Sequence, residues 1–474
     1  MNVKAVKVTS LSLGLMMAIV HGVAPAESVT EAWEARYNGS GNGKDNAQAL
    51  MLDNAGNAYV TGFSDSGGGN YDFATVKYDS DGKQLWVARY NGESSGADWV
   101  DALALDSMGN VLVTGSSAGS GTDFDFATVK YDAQGRQLWV RRYDGPVHGP
   151  DRVKGMAVDA AGNVYVVGDS SGHEGRAESA TLKYGSDGDL LWAARSSESD
   201  GGGLSLSAIA VDSDGNVYVA GRKTQEAGNS DFVTIKYDSD GNRLWTAYRD
   251  WGANDDARFL TLDSQGHAYV AGSSLRYAQD PGKTAHEDVA LVKYAHDGKE
   301  LWTASFNGGS VTDDVASAMR IDLEGHVYVT ATSYGEMSDG SSADFTTLKY
   351  DSDGRQLWSA PYQGIGETAD AVYDAILDSS GAVYVLGYER GGPDRESWLI
   401  TLKFDADGNG QWVMRHEGMA TAGAGALAVD DLGAVWISGS DTAGRDYLTL
   451  KFRQSALEAQ AAEPQKQGHE KTVE

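Results

Sequence analysis

A tryptophan returns at nearly constant intervals along the chain, at Trp33, Trp86, Trp139, Trp192, Trp245, Trp302, Trp358 and Trp412. The steps are 53, 53, 53, 53, 57, 56 and 54 residues. Two further signatures keep register with it. One is Asp-x-x-Gly leading into an aromatic or aliphatic run, with its aspartates at Asp53, Asp106, Asp159, Asp212, Asp263, Asp322, Asp378 and Asp430. The other is a run holding one lysine, at Lys77, Lys130, Lys183, Lys236, Lys293, Lys349, Lys403 and Lys451. Length alone would suggest two or three domains in 474 residues. Self-similarity at this period instead demands units that bury their apolar faces against one another.

Each unit reads as four short strands. In the second unit the expected spans are 101–105 for strand a, 110–114 for strand b, 124–131 for strand c and 137–143 for strand d. Asp106-Ser107-Met108-Gly109 joins a to b, and Asp132-Ala133-Gln134-Gly135 joins c to d. Asp opens such turns by accepting backbone N–H groups, and Gly takes the positive-φ position near their end. Strand a alternates Ala102 and Ala104 with Leu103 and Leu105, which suits an innermost strand where space is short. Four strands in a period near 50 predict an all-β fold, a β-propeller.

The chain ends set the blade number. A lone d-type run, Ala32 to Tyr37, precedes the first strand a, whereas a-, b- and c-type runs follow Trp412 without a d. Seven whole blades and one shared blade predict eight, closed by the N-terminal strand joining the C-terminal blade. Such joining protects edges that would otherwise seek partners.

Lys4 and Lys7, the apolar stretch 8–23 and Ala24-Pro25-Ala26 read as a Sec-type signal peptide cleaved after Ala26. Residues 1–26 are thus expected to be removed, 27–453 to form the propeller and 454–474 to be a disordered polar tail. No stable membrane insertion is expected after cleavage, and the mature protein is expected to be a secreted or periplasmic monomer. With no cysteine in the chain, disulfides and thiolate chemistry are excluded. A formal net charge of −30 argues against nucleic acid and anionic membrane, which need clustered Lys and Arg.

The tight turns belong to one face of the disk, and the longer b–c and d–a connections belong to the other, with the channel mouth. Variable loops on a rigid scaffold are the usual seat of binding. Two b–c connections are enlarged, 273–287 and 332–343. The first carries Arg276, Tyr277, Asp280, Lys283 and His286, of which Arg276, Tyr277, Asp280 and His286 are the candidate binding group. Eight residues before each strand-a aspartate stands Asp45, Asp98, Asp151, Asp255, Asp314 or Asp370, with Leu204 and Ala422 in the other two units. Six acids near one mouth could hold Ca²⁺, which wants several oxygens. The alternative is that each aspartate caps its own loop. No cofactor other than Ca²⁺ is expected.

The stretches Asp159–Gly168 and Asp212–Gly221, Asp-x-x-Gly-Asn-Val-Tyr-Val-x-Gly, resemble SBBP-type bacterial β-propeller repeats. That resemblance implies an exported propeller and no common activity. Gly82-x-x-x-Trp86 and its copies are similar to the tryptophan-docking repeats of quinoprotein dehydrogenases, although the turn before the glycine is one residue shorter. Two functions are compatible with these features. A non-enzymatic scaffold would bind a protein, glycan or cation on the loop face. A propeller enzyme of quinoprotein-dehydrogenase or polysaccharide-lyase type would instead need a pocket of non-repeat residues such as Arg276, Tyr277, His286, Arg390 or Arg395.

Overall fold

The computed structural model describes residues 27–456, apart from 95, 122, 173–176, 197–201, 227, 253, 277–284, 309–312, 336–341, 365–369, 391–396, 417–418 and 420–424. Its strands form eight four-stranded antiparallel sheets. Innermost strands of successive sheets touch around a complete cycle, so the sheets are blades of a ring. Blade 2 illustrates the unit, with a at Asp98–Leu105, b at Val111–Ala118, c at Phe124–Tyr131 and d at Gln137–Tyr143. Strands c and d have the expected bounds. Strands a and b are longer, because residues that read as loop enter the ladder. Asp98 pairs with Ser117 and Val100 with Gly115.

Blade 8 is composite. Ala426–Val429, Val435–Ser440 and Tyr447–Ala456 supply strands a to c, and Glu27–Tyr37 is the fourth strand. It pairs antiparallel with strand c from Glu27↔Ala456 to Tyr37↔Tyr447. Strand c therefore runs three residues past the expected boundary at Arg453, since Glu27, Ser28 and Val29 give Ala456, Ser455 and Gln454 partners.

The repeated tryptophan pins each blade to the next. Indole N–H groups of Trp33, Trp86, Trp139, Trp192, Trp245, Trp302 and Trp358 donate to carbonyls in the c–d turn of the following blade, at 2.9–3.2 Å. The glycine of that turn lies flat against the same indole. A methyl group at Gly135 would stand 2.7 Å from Trp86 Cδ2, and the six equivalent glycines are as close. Glycine is thus required twice, for a φ of 79° at Gly135 and for the approach of the ring.

The lysine of strand c works in parallel. Lys130 Nζ lies 2.9 Å from Asp106 of its own blade and donates to Ser186 O of the next. Lys183, Lys236, Lys293, Lys349 and Lys451 make the same cross-blade bond, over a Tyr or Trp face in their own blade.

Blade 8 has no c–d turn to offer, because its strand d comes from the other end of the chain. Gln454 fills that place with a side chain. Its Oε1 accepts from Trp412 Nε1 at 3.3 Å and from Lys403 Nζ at 2.9 Å. Its Nε2 donates to Tyr384 OH and to Gly433 O.

Candidate functional site: the loop face and the channel mouth

Antiparallel order puts the a–b and c–d turns at one end of every blade and the b–c and d–a connections at the other. Near its middle, strand a of each of blades 1 to 7 carries a β-bulge. The residues left out of register are Gln48, Asp101, Lys154, Ser207, Arg258, Ser317 and Tyr373. A bulge re-aims its extra side chain out of the ladder. On the innermost strand, Asp101, Lys154 and Arg258 are exposed, whereas Tyr373 packs against Tyr388. The backbone repeats while the side chains do not. Surrounding channel walls push the Asp101 carboxyl up to about 7, against the Ser116 hydroxyl and the cations Lys154 and Arg152. Lys154 lies 3.5 Å from Asp169, and Arg258 lies 3.1 Å from Asp256.

The six repeated aspartates are buried instead of facing the channel. Asp45 accepts from the amides of Gly39 and Asp65, Asp98 from Gly92, and Asp151 from Gly145 and Ser171. Asp255 accepts from Trp251 N, and Asp314 from Gly308 N and the Ser333 hydroxyl. Asp370 is equally buried. This geometry is that of loop caps. Burial raises the carboxyls of Asp45, Asp98, Asp151 and Asp255, with the amide bonds opposing it. Two of the six also belong to tight acid groups, Asp125–Asp144–Asp151 and Asp231–Asp250–Asp255. Arg142 and His148 pair with the first group.

Arginines on strand d brace the loop face. Arg142 donates to Tyr90 OH of the preceding blade, to Ser117 Oγ and to Asp125. Arg89 and Arg195 repeat the pattern through Tyr37, Ser64 and Asp72, and through Tyr143, Ser170 and Glu178. Arg415 pairs with Glu389. This set was readable as an arginine three residues after the repeat tryptophan. It fails in blades 4 to 6, where Tyr248, Ser305 and Pro361 hold the place.

Of the candidate binding group, Arg276 ends strand b of blade 5, with Nε 2.8 Å from Asp288, and His286 opens strand c with Nε2 3.6 Å from the same carboxylate. Tyr277, Asp280 and Lys283, like Arg395, lie outside the described residues. Arg390 is the last residue of strand b in blade 7.

His416 carries a pH dependence at the seam between blades 7 and 8. Its ring is buried against Phe452, the Thr401 hydroxyl lies 2.8 Å from Nε2, and Nδ1 is without a partner. Burial lowers its pKa to about 3. Below the ordinary value of about 6.5, the unfolded chain takes up a proton that the folded chain refuses, so stability falls with pH down to about 3. From pH 7 to pH 5 this single ring should cost about 2 kcal/mol. His416→Gln should reduce the acid sensitivity of the urea unfolding free energy by that amount, and an unchanged pH slope would refute the assignment.

Two clefts open between blades. One of about 550 Å³, at the seam of blades 1 and 2, is lined by Arg89, Tyr90, Asn91, Glu93, Gln137, Val140 and Arg142. Both of its arginines are engaged in the braces. The other, of about 310 Å³, lies between blades 4 and 5 and includes Arg222, Asn254, Asp256, Arg258 and Glu287 in its wall.

These features define a β-propeller with a repeat-breaking loop face. No family model matches the chain, so the likeness to SBBP-type repeats stands on the residues alone. Regulatory protein FlaEY of Caulobacter vibrioides is 30% identical over 208 residues, covering 36% of this chain and 21% of that protein. The chain thus spans about a fifth of the length of the curated relative it matches. Among solved structures, the β-propeller domain of the Trilobed protease from Pyrococcus furiosus superposes with a TM-score of 0.42 at 12% identity, covering 76% of this chain and 95% of that one. Polysaccharide lyase Uly1 gives 0.44 at 11%, covering 85% and 89%. Rhamnogalacturonan lyase YesX gives 0.44 at 15%, covering 86% and 72%. Likenesses this distant say nothing about activity.

Proposed function

We propose that the chain is an exported, non-enzymatic scaffold that binds its partner through the loop face. The observation that carries this reading is the bulge row. One backbone position, repeated in seven blades, holds amide, acid, amine, hydroxyl, guanidinium and phenol side chains, and those of Asp101, Lys154 and Arg258 are exposed. Residues required by the fold repeat, as the docking glycines do. Residues that vary on a constant frame are free to serve recognition.

Export rests on the first 26 residues, and cleavage there would leave strand Glu27–Tyr37 whole. The mature protein should therefore begin at Glu27 by intact mass. Binding should be tested on a glycan array and a panel of envelope proteins. Shortening the connections at 277–284 and 336–341 should abolish it. A turn-face variant, M108S/L323S/L432S, changes apolar tips that are 82%, 99% and 93% exposed and should bind normally. The reverse pattern, or turnover of any bound glycan, would overturn the reading.

A further inference from the structure

We propose that the cleft between blades 4 and 5 is a binding site for a sugar acid, a carboxylate carried on a polyhydroxylated ring, with Arg222 as the carboxylate anchor. The inference deepens the loop-face reading and rests on it. Its strongest support is where the repeat is broken. In the other blades the position of Arg222 holds Phe63, Ser116, Asp169, Ser273, Thr332, Tyr388 and Ser440. The bulge position of Arg258 holds a cation in one other blade, at Lys154. The fold therefore needs a guanidinium at neither place. Both occur on the two sides of a single seam, in one cavity.

The charges in that cavity are unequal in their engagements. Arg258 is held by Asp256 at 3.1 Å, and its charge also acts on the Glu287 carboxylate. Arg222 is exposed, and its guanidinium makes no ion pair or hydrogen bond among the described residues. In a chain of net charge −30, an exposed guanidinium in a cleft is a ready fork for a carboxylate.

The rest of the wall selects the frame that carries it. Thr224, Ser230, Ser273 and Asn254 both donate and accept, and Asp256 and Glu287 accept, which suits a ring bearing several hydroxyls. Among the described residues no large apolar side chain lines the cleft, which disfavours lipids and apolar peptides. About 310 Å³ accommodates one sugar ring and little more. Two carboxylates in the wall disfavour a doubly charged phosphate relative to a singly charged carboxylate.

Calorimetric titration of the whole chain with D-glucuronate, D-glucose, glucose 6-phosphate and glycine tests this. Glucuronate should bind about tenfold or more tighter than glucose. The R222Q variant should weaken glucuronate by a similar factor. Its melting temperature should stay unchanged, because the guanidinium has no hydrogen bond or ion pair to lose among the described residues. R136Q, which removes an exposed cation beside the c–d turn of blade 2, should bind glucuronate normally. No glucuronate binding, an unaffected R222Q, or tighter binding of glucose 6-phosphate or glycine would overturn the proposal. Failure here with array or envelope binding still dependent on the loop connections would remove the ligand class and leave the loop-face reading intact. Loss of that dependence would remove the reading itself.

Discussion

A chain lacking residues 27–37 should fail to unfold as one cooperative unit, melting early and broadly and self-associating. The segment acts on two seams at once. Val29 is 1% exposed within the core shared by blades 7 and 8, whereas Ala35 and Tyr37 pack in the core shared by blades 8 and 1. Trp33 lies on Gly82 and donates to Ser80 O, and the Tyr37 hydroxyl accepts from Arg89. Trp33 is half-buried, so its loss costs less than the about 3–5 kcal/mol of a fully buried tryptophan, but it adds to the loss of buried Val29 and Tyr37 against about 5–15 kcal/mol for the whole stability of a typical domain. Removing the strand also bares the outer edge of Tyr447–Ala456, a template for pairing with another chain. Circular dichroism melting and size-exclusion chromatography would report both effects. A peptide of residues 27–37 added in trans should restore part of the transition. Gln454→Ala, which removes the side chain standing in for the absent turn, should cost about 2 kcal/mol or more. A monomeric truncated chain with the parent's melting temperature would mean that closure does not hold the ring.

What the sequence disclosed was whatever is both local and periodic. An Asp-to-Gly turn is contained in four residues, and eight copies separate it from chance. The tryptophans were equally visible, but their targets were not. The carbonyl that Trp86 meets belongs to Ala133, 47 residues away in the next blade, and no spacing rule names it. The Asp45 series was legible as a position and ambiguous as chemistry. A carboxylate eight residues before a turn reads alike whether it faces a channel or its own loop. Only the amides of Gly39, Gly92 and Gly145 at 2.5–2.8 Å distinguish the two. Gln454 looked like the first residue of a polar tail, because its role exists only once Trp412 and Lys403 stand beside it. Arg222 and Arg258 were hidden for another reason. They are departures from the repeat, and which departures share a cavity depends on a bulge that appears only when the strands are paired.

The docking glycines admit a controlled measurement within one blade. Gly109 and Gly135 end the a–b and c–d turns of blade 2, with φ of 77° and 79°, and each N–H donates to the carbonyl of its turn's aspartate at 2.9 Å. Alanine at either position meets the same left-handed backbone penalty of about 1–2 kcal/mol. Their surroundings differ. A methyl group at Gly109 would meet nothing within 4 Å, while at Gly135 it would stand 2.7 Å from Trp86 Cδ2 and 2.9 Å from Cε3. Neither atom belongs to a flexible tip. Relief requires the indole to shift, which lengthens its 3.1 Å bond to Ala133 O and disturbs its edge contact with Tyr59. Gly109→Ala should therefore lose about 1–2 kcal/mol and Gly135→Ala about 4 kcal/mol or more, read from urea unfolding. Tryptophan emission should change in the second variant and not in the first. Equal losses would show that the backbone conformation alone, and not the indole seated on the glycine, is what the repeat preserves at this turn.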